Sequence, residues 1–336
     1  MKKMLLYAAL LTALISCDSA KKLDLVKFQG LAQGTYYSIT YYDTQGRNLQ
    51  AQIDSLLNAY NHSLSLWEPA SIISRINRNE PDVEIDELFR TVYLKASEVA
   101  EKTQGAFDYS VGPLVNAWGF GFTNRMKLNS NKVDSLMQFV GYQNFNLIEN
   151  KIIKQNPGSA IDFNAIAKGY AVDVVGRFIE GKGISQYLVD IGGEVFARKR
   201  KHDGQLWKIG IEKPADQADS QRDLKVILEL ENEAIATSGN YRRYYEEDGI
   251  RYSHTIDPST GYPVNHSLLS ASVLAADCMT ADAYATAFMV MGIERAKAYV
   301  LSHPGMEAYF IYASKDGSLE TWASEGFVKK IVEQFD

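Results

Sequence analysis

Cysteine is nearly absent from this chain of 336 residues: there are two, Cys17 and Cys278. With Cys17 in an amino-terminal leader, Cys278 has no partner for an intramolecular disulfide, and no thiolate cluster exists to hold a soft metal. Cys278 lies in an Ala- and Met-rich stretch and reads as a small buried residue. Long apolar runs are also missing. The longest, Leu5 to Ile15, falls well short of the roughly 20 residues that span a bilayer. Positive charge is in deficit, with 35 Lys and Arg against 41 Asp and Glu for a net charge of −6. No basic stripe offers itself to nucleic acid. The short run Arg198-Lys199-Arg200-Lys201 reads as a solvated hairpin tip. No Gly-x-Gly-x-x-Gly follows a strand-like segment, so a Rossmann site has no support. There is no internal repeat and no low-complexity tract.

What is present begins with the leader. Lys2 and Lys3 precede the apolar run, as in a secretory signal. The run closes in Leu14-Ile15-Ser16-Cys17, which resembles a bacterial lipobox. In that motif cleavage precedes the cysteine, which is then acylated on sulfur and on its new amino group, giving stable anchoring. The plain alternative is a simple signal peptide with a chance cysteine. The expectation is a signal peptide over 1–16, a lipidated Cys17, a polar tether over 17–29 and a catalytic region over 30–336. Asp18 resembles the signal that keeps some lipoproteins at the inner membrane, which points to its periplasmic face.

Periodicity gives the organisation. Gly30 to Tyr42 alternates as a strand, with Tyr37, Ile39 and Tyr41 on one face. Helical spacing runs through Leu49–Tyr60, through Leu88–Ala100 behind Asp86, through Val133–Val140 before Gly141, and through Ile166–Ile179. A hairpin is expected over 145–154, turning near Glu149-Asn150-Lys151. Strands are expected at 187–197, 206–212, 224–230, 233–237 and 270–275, then helices at 280–291 and 294–302, then strands at 306–312 and 320–323. Strands come in clusters and not in regular alternation with helices. That pattern predicts an α+β fold, as two lobes or one large unit.

Several segments carry chemistry, each beside a plainer reading. Asp282 and Thr286 stand four apart in a small-residue helix, so their oxygens share one face. Oxygen ligands suit a hard cation, Mg2+ above all beside phosphate. The plain reading is a buried helix with Thr286 bonded one turn back, which leaves the Asp282 carboxylate needing a partner. In Ala160-Ile-Asp-Phe-Asn-Ala-Ile-Ala-Lys-Gly169, Asp162 precedes a helix and Lys168 sits in its first turns, where an anion is welcome. They could equally be a cap and a solvated side chain. Thr237-Ser238-Gly239 ends a strand with two hydroxyls, fit for phosphate or for an ordinary turn. His254 precedes the Asp257-Pro258 turn, and is either structural or catalytic. In Val189-Asp-Ile-Gly-Gly-Glu194 two glycines fall inside an expected strand, where a ligand or a packed helix would come close. Trp67, and the aromatics of the segment from Gly105 to Gly121, could wall a flat heterocycle or fill the core.

In order, the segments Gly34-Thr35, Ser71-Ile-Ile-Ser-Arg-Ile-Asn77, GAFDYSVGPLVNAWGFG, AIAKGYAVD, VDIGGE, IATSGNY, HTIDPSTG and TADAYATA resemble the FAD:protein FMN transferase (ApbE) family. The match covers about residues 30–292. The resemblance implies a flavin cleft between two lobes of mixed sheets and helices. It implies Mg2+-dependent cleavage of FAD, transfer of FMN through its phosphate to a Thr or Ser of a target flavoprotein, and release of AMP. Targets carry an Asp-Gly-x-Ser/Thr-Gly-like motif. The metal would be held by the Ala165 carbonyl, Asp282 and Thr286. FAD would contact Gln33, Trp67, Phe107, Asp108, Asp162, Lys168 and Ile256, with Thr237 and Ser238 beside the phosphates. His254, Asp162 and Lys168 are the candidate catalytic residues. Departures from the family pattern, Gln33, Phe163-Asn164 and Ser259, touch flavin packing and loop charge and leave the metal ligands intact. The alternatives are an FAD pyrophosphatase giving FMN and AMP, or a non-catalytic flavin-binding lipoprotein.

Overall fold

A computed structural model of the chain describes residues 23–121, 126–214, 223–240, 244–247 and 250–335. The leader and Cys17 lie outside the described residues.

The strands β1 (Asp24–Ala32) and β2 (Thr35–Asp43) open the fold as a hairpin. Helices α1 (Gln50–Leu64), α2 (Ile72–Asn77), α3 (Glu87–Lys102), α4 (Gly112–Ala117) and α5 (Ser130–Met137) follow. A small hairpin, β3 (Phe145–Ile148) and β4 (Lys151–Lys154), precedes α6 (Ala167–Gly181). Then come β5 (Tyr187–Ile191), β6 (Glu194–Arg198), β7 (Trp207–Glu212), β8 (Leu224–Leu230), β9 (Glu233–Gly239), β10 (Tyr244–Glu247), β11 (Ile250–Ser253) and β12 (Leu268–Ala275). The chain closes with α7 (Cys278–Ser302), β13 (Glu307–Ala313), β14 (Leu319–Ala323), α8 (Glu325–Val328) and β15 (Ile331–Gln334).

Eight strands form one sheet in the order β1-β2-β5-β6-β9-β12-β13-β14, and β15-β8-β7 form another. All these pairings are antiparallel. The two sheets share an apolar layer. Val195, Ile235, Leu274 and Ile311 of the large sheet meet Trp207, Val226 and Leu228 of the small one. The other face of the large sheet is covered by helices, with α7 lying across β9 and β12 and α6 against α7. The α+β class expected from strand clustering is the class observed.

Local chemistry explains the helix starts. Asp86 accepts from the Phe89 N–H at the head of α3, and Asp277 accepts from the Thr280 N–H at the head of α7, both at 2.8 Å. In β2 Tyr37, Ile39 and Tyr41 are all buried, as the alternation required.

Four expectations are corrected. Gly30 to Tyr42 is not one strand: Gln33 and Gly34, both at positive φ, turn the chain between β1 and β2. β1 begins at Asp24, so residues 24–29 of the segment read as a tether are paired strand. Residues 187–197 are also two strands. Gly192 (φ 65) and Gly193 (φ 102) make the hairpin turn that pairs β5 with β6. The run Arg198–Lys201 is not a hairpin tip but the passage from the large sheet to β7 in the small one. By contrast, the two helices expected at 280–291 and 294–302 are observed as the two arms of α7, which breaks between them at Gly292, whose φ of 73 is not helical.

Candidate functional site

A cavity of about 900 Å³ opens where the helical layer meets the sheets. That is the upper part of the range of small-molecule sites. All thirteen candidate site residues in the described part of the chain line it: Gln33, Trp67, Phe107, Asp108, Asp162, Ala165, Lys168, Thr237, Ser238, His254, Ile256, Asp282 and Thr286.

The floor forms where α6 and α7 touch. A Cβ on Gly169 would lie 2.3 Å from the Cys278 carbonyl oxygen and 2.8 Å from Cβ of Asp282. Only glycine allows that approach. The same contact lets the Gly169 N–H donate to Asp282 Oδ2 at 2.9 Å. Behind it, Asp173 of α6 accepts from the Cys278 and Met279 N–H groups at 2.8 and 2.9 Å, fastening the start of α7.

Lys168 reaches across to β6, where its Nζ stands 2.7 Å from Glu194 Oε1. Glu194 is 2% exposed and Asp282 is 4% exposed. Burial pushes both carboxyls up; the Lys168 ammonium opposes this in each, and the Asp282 charge adds to the rise at Glu194. Oε2 of Glu194 has no hydrogen-bond partner among the described residues. The floor therefore holds two buried carboxyls whose burial the Lys168 ammonium only partly offsets. Beside it, Ser238 Oγ and Thr286 Oγ1 are 3.1 Å apart, and Thr237 Oγ1 lies 2.7 Å from Ser272 Oγ.

The segment leading to α6 is clamped from several sides. Asn77 donates to the Ile161 carbonyl and accepts its N–H, both at 2.8 Å. The Tyr60 hydroxyl donates to the Ala167 carbonyl at 2.5 Å. Asp162 accepts from the Asn164 N–H at 2.8 Å, and burial raises its carboxyl above the usual range. Asp108, likewise raised by burial, accepts from the N–H groups of Ser110 at 2.7 Å and Tyr142 at 3.0 Å. Both carboxylates brace the cavity wall as well as line it.

The upper walls carry rings. Phe107 is buried, whereas Trp67 is 62% exposed at the rim. Trp118 Nε1 donates to the Gly261 carbonyl at 2.8 Å and ties the aromatic segment to the loop after His254. The His254 ring lies 6.4 Å from that of Phe120, centroid to centroid.

Sequence reasoning missed Glu194. Its signal was the Gly-Gly turn: once β5 and β6 are a hairpin, Glu194 faces Ile191, and directly opposed residues share a face. A carboxylate opposite a buried isoleucine is then a buried carboxylate. Among the described residues no group of three or more His, Cys, Asp and Glu side chains is arranged to hold a metal. A cation here would draw on hydroxyl and carbonyl oxygens as well.

The ApbE family model matches residues 33–310. An FAD:protein FMN transferase of Vibrio cholerae is 38% identical, over 97% of this chain and 98% of its own. One of Escherichia coli K12 is 33% identical, over 93% and 90%. The solved flavin transferase ApbE of Vibrio cholerae superposes with a TM-score of 0.82 at 36% identity, covering 92% of this chain and 99% of that one. The apo flavinyl transferase ApbE of Pseudomonas stutzeri gives a TM-score of 0.82 at 30% identity, covering 92% and 97%.

Proposed function

Because the chain belongs to the ApbE family and is an FAD:protein FMN transferase, we propose that its cavity floor handles the FAD pyrophosphate and its aromatic walls hold the ring systems. The observation that carries this reading is the meeting of Lys168, Glu194 and Asp282 beside the Ser238–Thr286 hydroxyl pair. Lys168 supplies a fixed positive charge at the start of α6, where the helix dipole also favours an anion. Ser238 and Thr237 supply hydroxyl donors at the end of β9. Phe107, Ile256 and Trp67 give the flavin a flat apolar berth.

In the reaction the acceptor hydroxyl oxygen attacks the FMN phosphorus. A P–O bond to that phosphorus forms, the bond to the bridging oxygen breaks, and AMP leaves with that oxygen. The hydroxyl proton departs to solvent or to a cavity base, for which His254 and Asp162 are the candidates. Such a transfer depends on alignment and charge stabilisation more than on a strong base.

The donor set fits a magnesium ion. Burial raises both floor carboxyls, and Glu194 Oε2 has no hydrogen-bond partner among the described residues; a hard cation would favour the ionised forms and answer both. The Asp282 carboxylate, the Thr286 hydroxyl and the Ala165 carbonyl would hold it. When bound it would neutralise charge growing on the phosphate oxygens.

The acceptor is a flavoprotein segment carrying an Asp-Gly-x-Ser/Thr-Gly-like motif. The enzyme is anchored through Cys17 at the periplasmic face of the inner membrane, a reading supported by the leader sequence. The test is to mix the protein with FAD, Mg2+ and a purified acceptor domain. Covalent flavin fluorescence on the denatured acceptor is expected. FMN and AMP without a labelled acceptor would make the protein a pyrophosphatase instead.

A further inference from the structure

The cavity is longer than its charged floor, and its far arm is walled by a strand edge. Residues Lys208 to Glu212, nearly all of β7, line it. Among the described residues β7 is the terminal strand of its sheet, with β8 as its paired strand. In an antiparallel edge strand, alternate residues aim their N–H and C=O groups away from the partner. Here that edge borders the same cavity as Lys168 and Thr286. The Gly192–Gly193 turn lines the same cavity, and a Cβ on Gly193 would meet nothing within 4 Å among the described residues, so the cavity is open at that turn.

We propose that β7 is the docking edge for the acceptor protein. An extended acceptor segment adds to the β15-β8-β7 sheet as a fourth strand and carries its hydroxyl to the floor. The inference rests on the transferase reading, because a transferase must admit a protein segment to the cavity that holds FAD. Main-chain pairing gives affinity that is tolerant of sequence, while the alternate side chains give selectivity.

The test uses proline, which removes one N–H. Of Lys208→Pro and Ile209→Pro, one breaks a bond to β8 and the other removes an outward donor; thermal melting identifies the stable one. With a short synthetic peptide containing Asp-Gly-Ala-Thr-Gly as acceptor, the stable variant should lose about tenfold in kcat/KM for peptide. Its KM for FAD should stay at the wild-type value. Wild-type kcat/KM for peptide in that variant would overturn the proposal. If neither variant folds, singly N-methylated peptides on the wild-type enzyme decide: loss of labelling at every second position is expected, and uniform tolerance would overturn it. A wild-type enzyme that binds FAD but labels neither the peptide nor a whole acceptor domain would overturn the transferase reading itself.

Discussion

Lys168 and Glu194 meet at 2.7 Å across the cavity floor, the lysine from the first turn of α6 and the glutamate from the first residue of β6. The pair fixes where the ammonium stands before any anion arrives. Glu194 is the more deeply buried partner, so it, and not the lysine, is held by the fold.

Lys168→Ala should therefore weaken FAD binding by about 10- to 100-fold, as loss of a charge-assisted hydrogen bond of roughly 1.5–3 kcal/mol implies. Lys95→Ala, which removes a lysine paired with Glu98 on α3, should leave affinity unchanged. Flavin fluorescence titration compares the two. Equal affinities would remove Lys168 from the phosphate end.

Asp282→Asn and Thr286→Val each keep side-chain shape and remove one proposed metal oxygen. Flavin transfer should fall at least about 100-fold in either variant, on the scale of losing one group that stabilises transition-state charge. Circular dichroism should show the fold retained. The asparagine variant should also need more Mg2+ for its residual activity. Full transfer by Asp282→Asn at low Mg2+, or full wild-type transfer in excess EDTA, would sink the metal assignment.

Gly169→Ala tests the contact of α6 with α7. The added carbon would sit 2.3 Å from a backbone oxygen, so the helices must part. Overpacking of this kind costs about 1–3 kcal/mol. Chemical denaturation should show that loss together with weaker FAD binding, since the shift separates Lys168 from Asp282. Wild-type stability in this variant would mean that the helices do not pack as described.

Asp173 gives stability a pH dependence. Burial lifts its carboxyl from 3.8 to about 7; the Cys278 and Met279 N–H groups pull the other way, Asp277 adds to the rise, and Arg177 opposes it. An acid raised in the folded state favours folding while protonated. Its contribution is full below the unfolded value near 3.8 and fades as pH climbs through about 7. Asp108, Asp162, Glu194 and Asp282 are raised in the same direction, so the comparison must be with Asp173→Asn. The fall in unfolding free energy from pH 4 to pH 7 should be shallower in that variant. Parallel curves would show that Asp173 does not titrate there.

Cys17→Ser should release the protein from the membrane fraction or leave it unprocessed. Membrane attachment and processing both unchanged would rule out the lipid anchor.

What the sequence made legible was local. The Asp86 cap, the alternation of β2 and the four-residue step from Asp282 to Thr286 depend on neighbours only a turn or a strand away. What it hid depended on partners far along the chain. Gly192-Gly193 reads as an interruption inside a strand until β5 is known to pair with β6, and Glu194 stays invisible with it. β15 has no apolar alternation to announce it; pairing with β8, a hundred residues earlier, defines it. Asn77 ends a short helix with no visible task, because the Ile161 backbone that it clamps is 84 residues away. The ordered motifs located the cavity residues, but the charge balance on its floor came only from burial.

The central strands β9 and β12 are joined by antiparallel pairing, and α7 lies over both. Lys168, Glu194, Ser238 and Thr286 thus come together only after segments more than a hundred residues apart have docked. Contacts of such separation form late, since loop-closure entropy must be met before they are rewarded. A nascent or half-folded chain has not yet assembled this floor, and on the proposed reading flavin capture becomes the signature of a finished molecule.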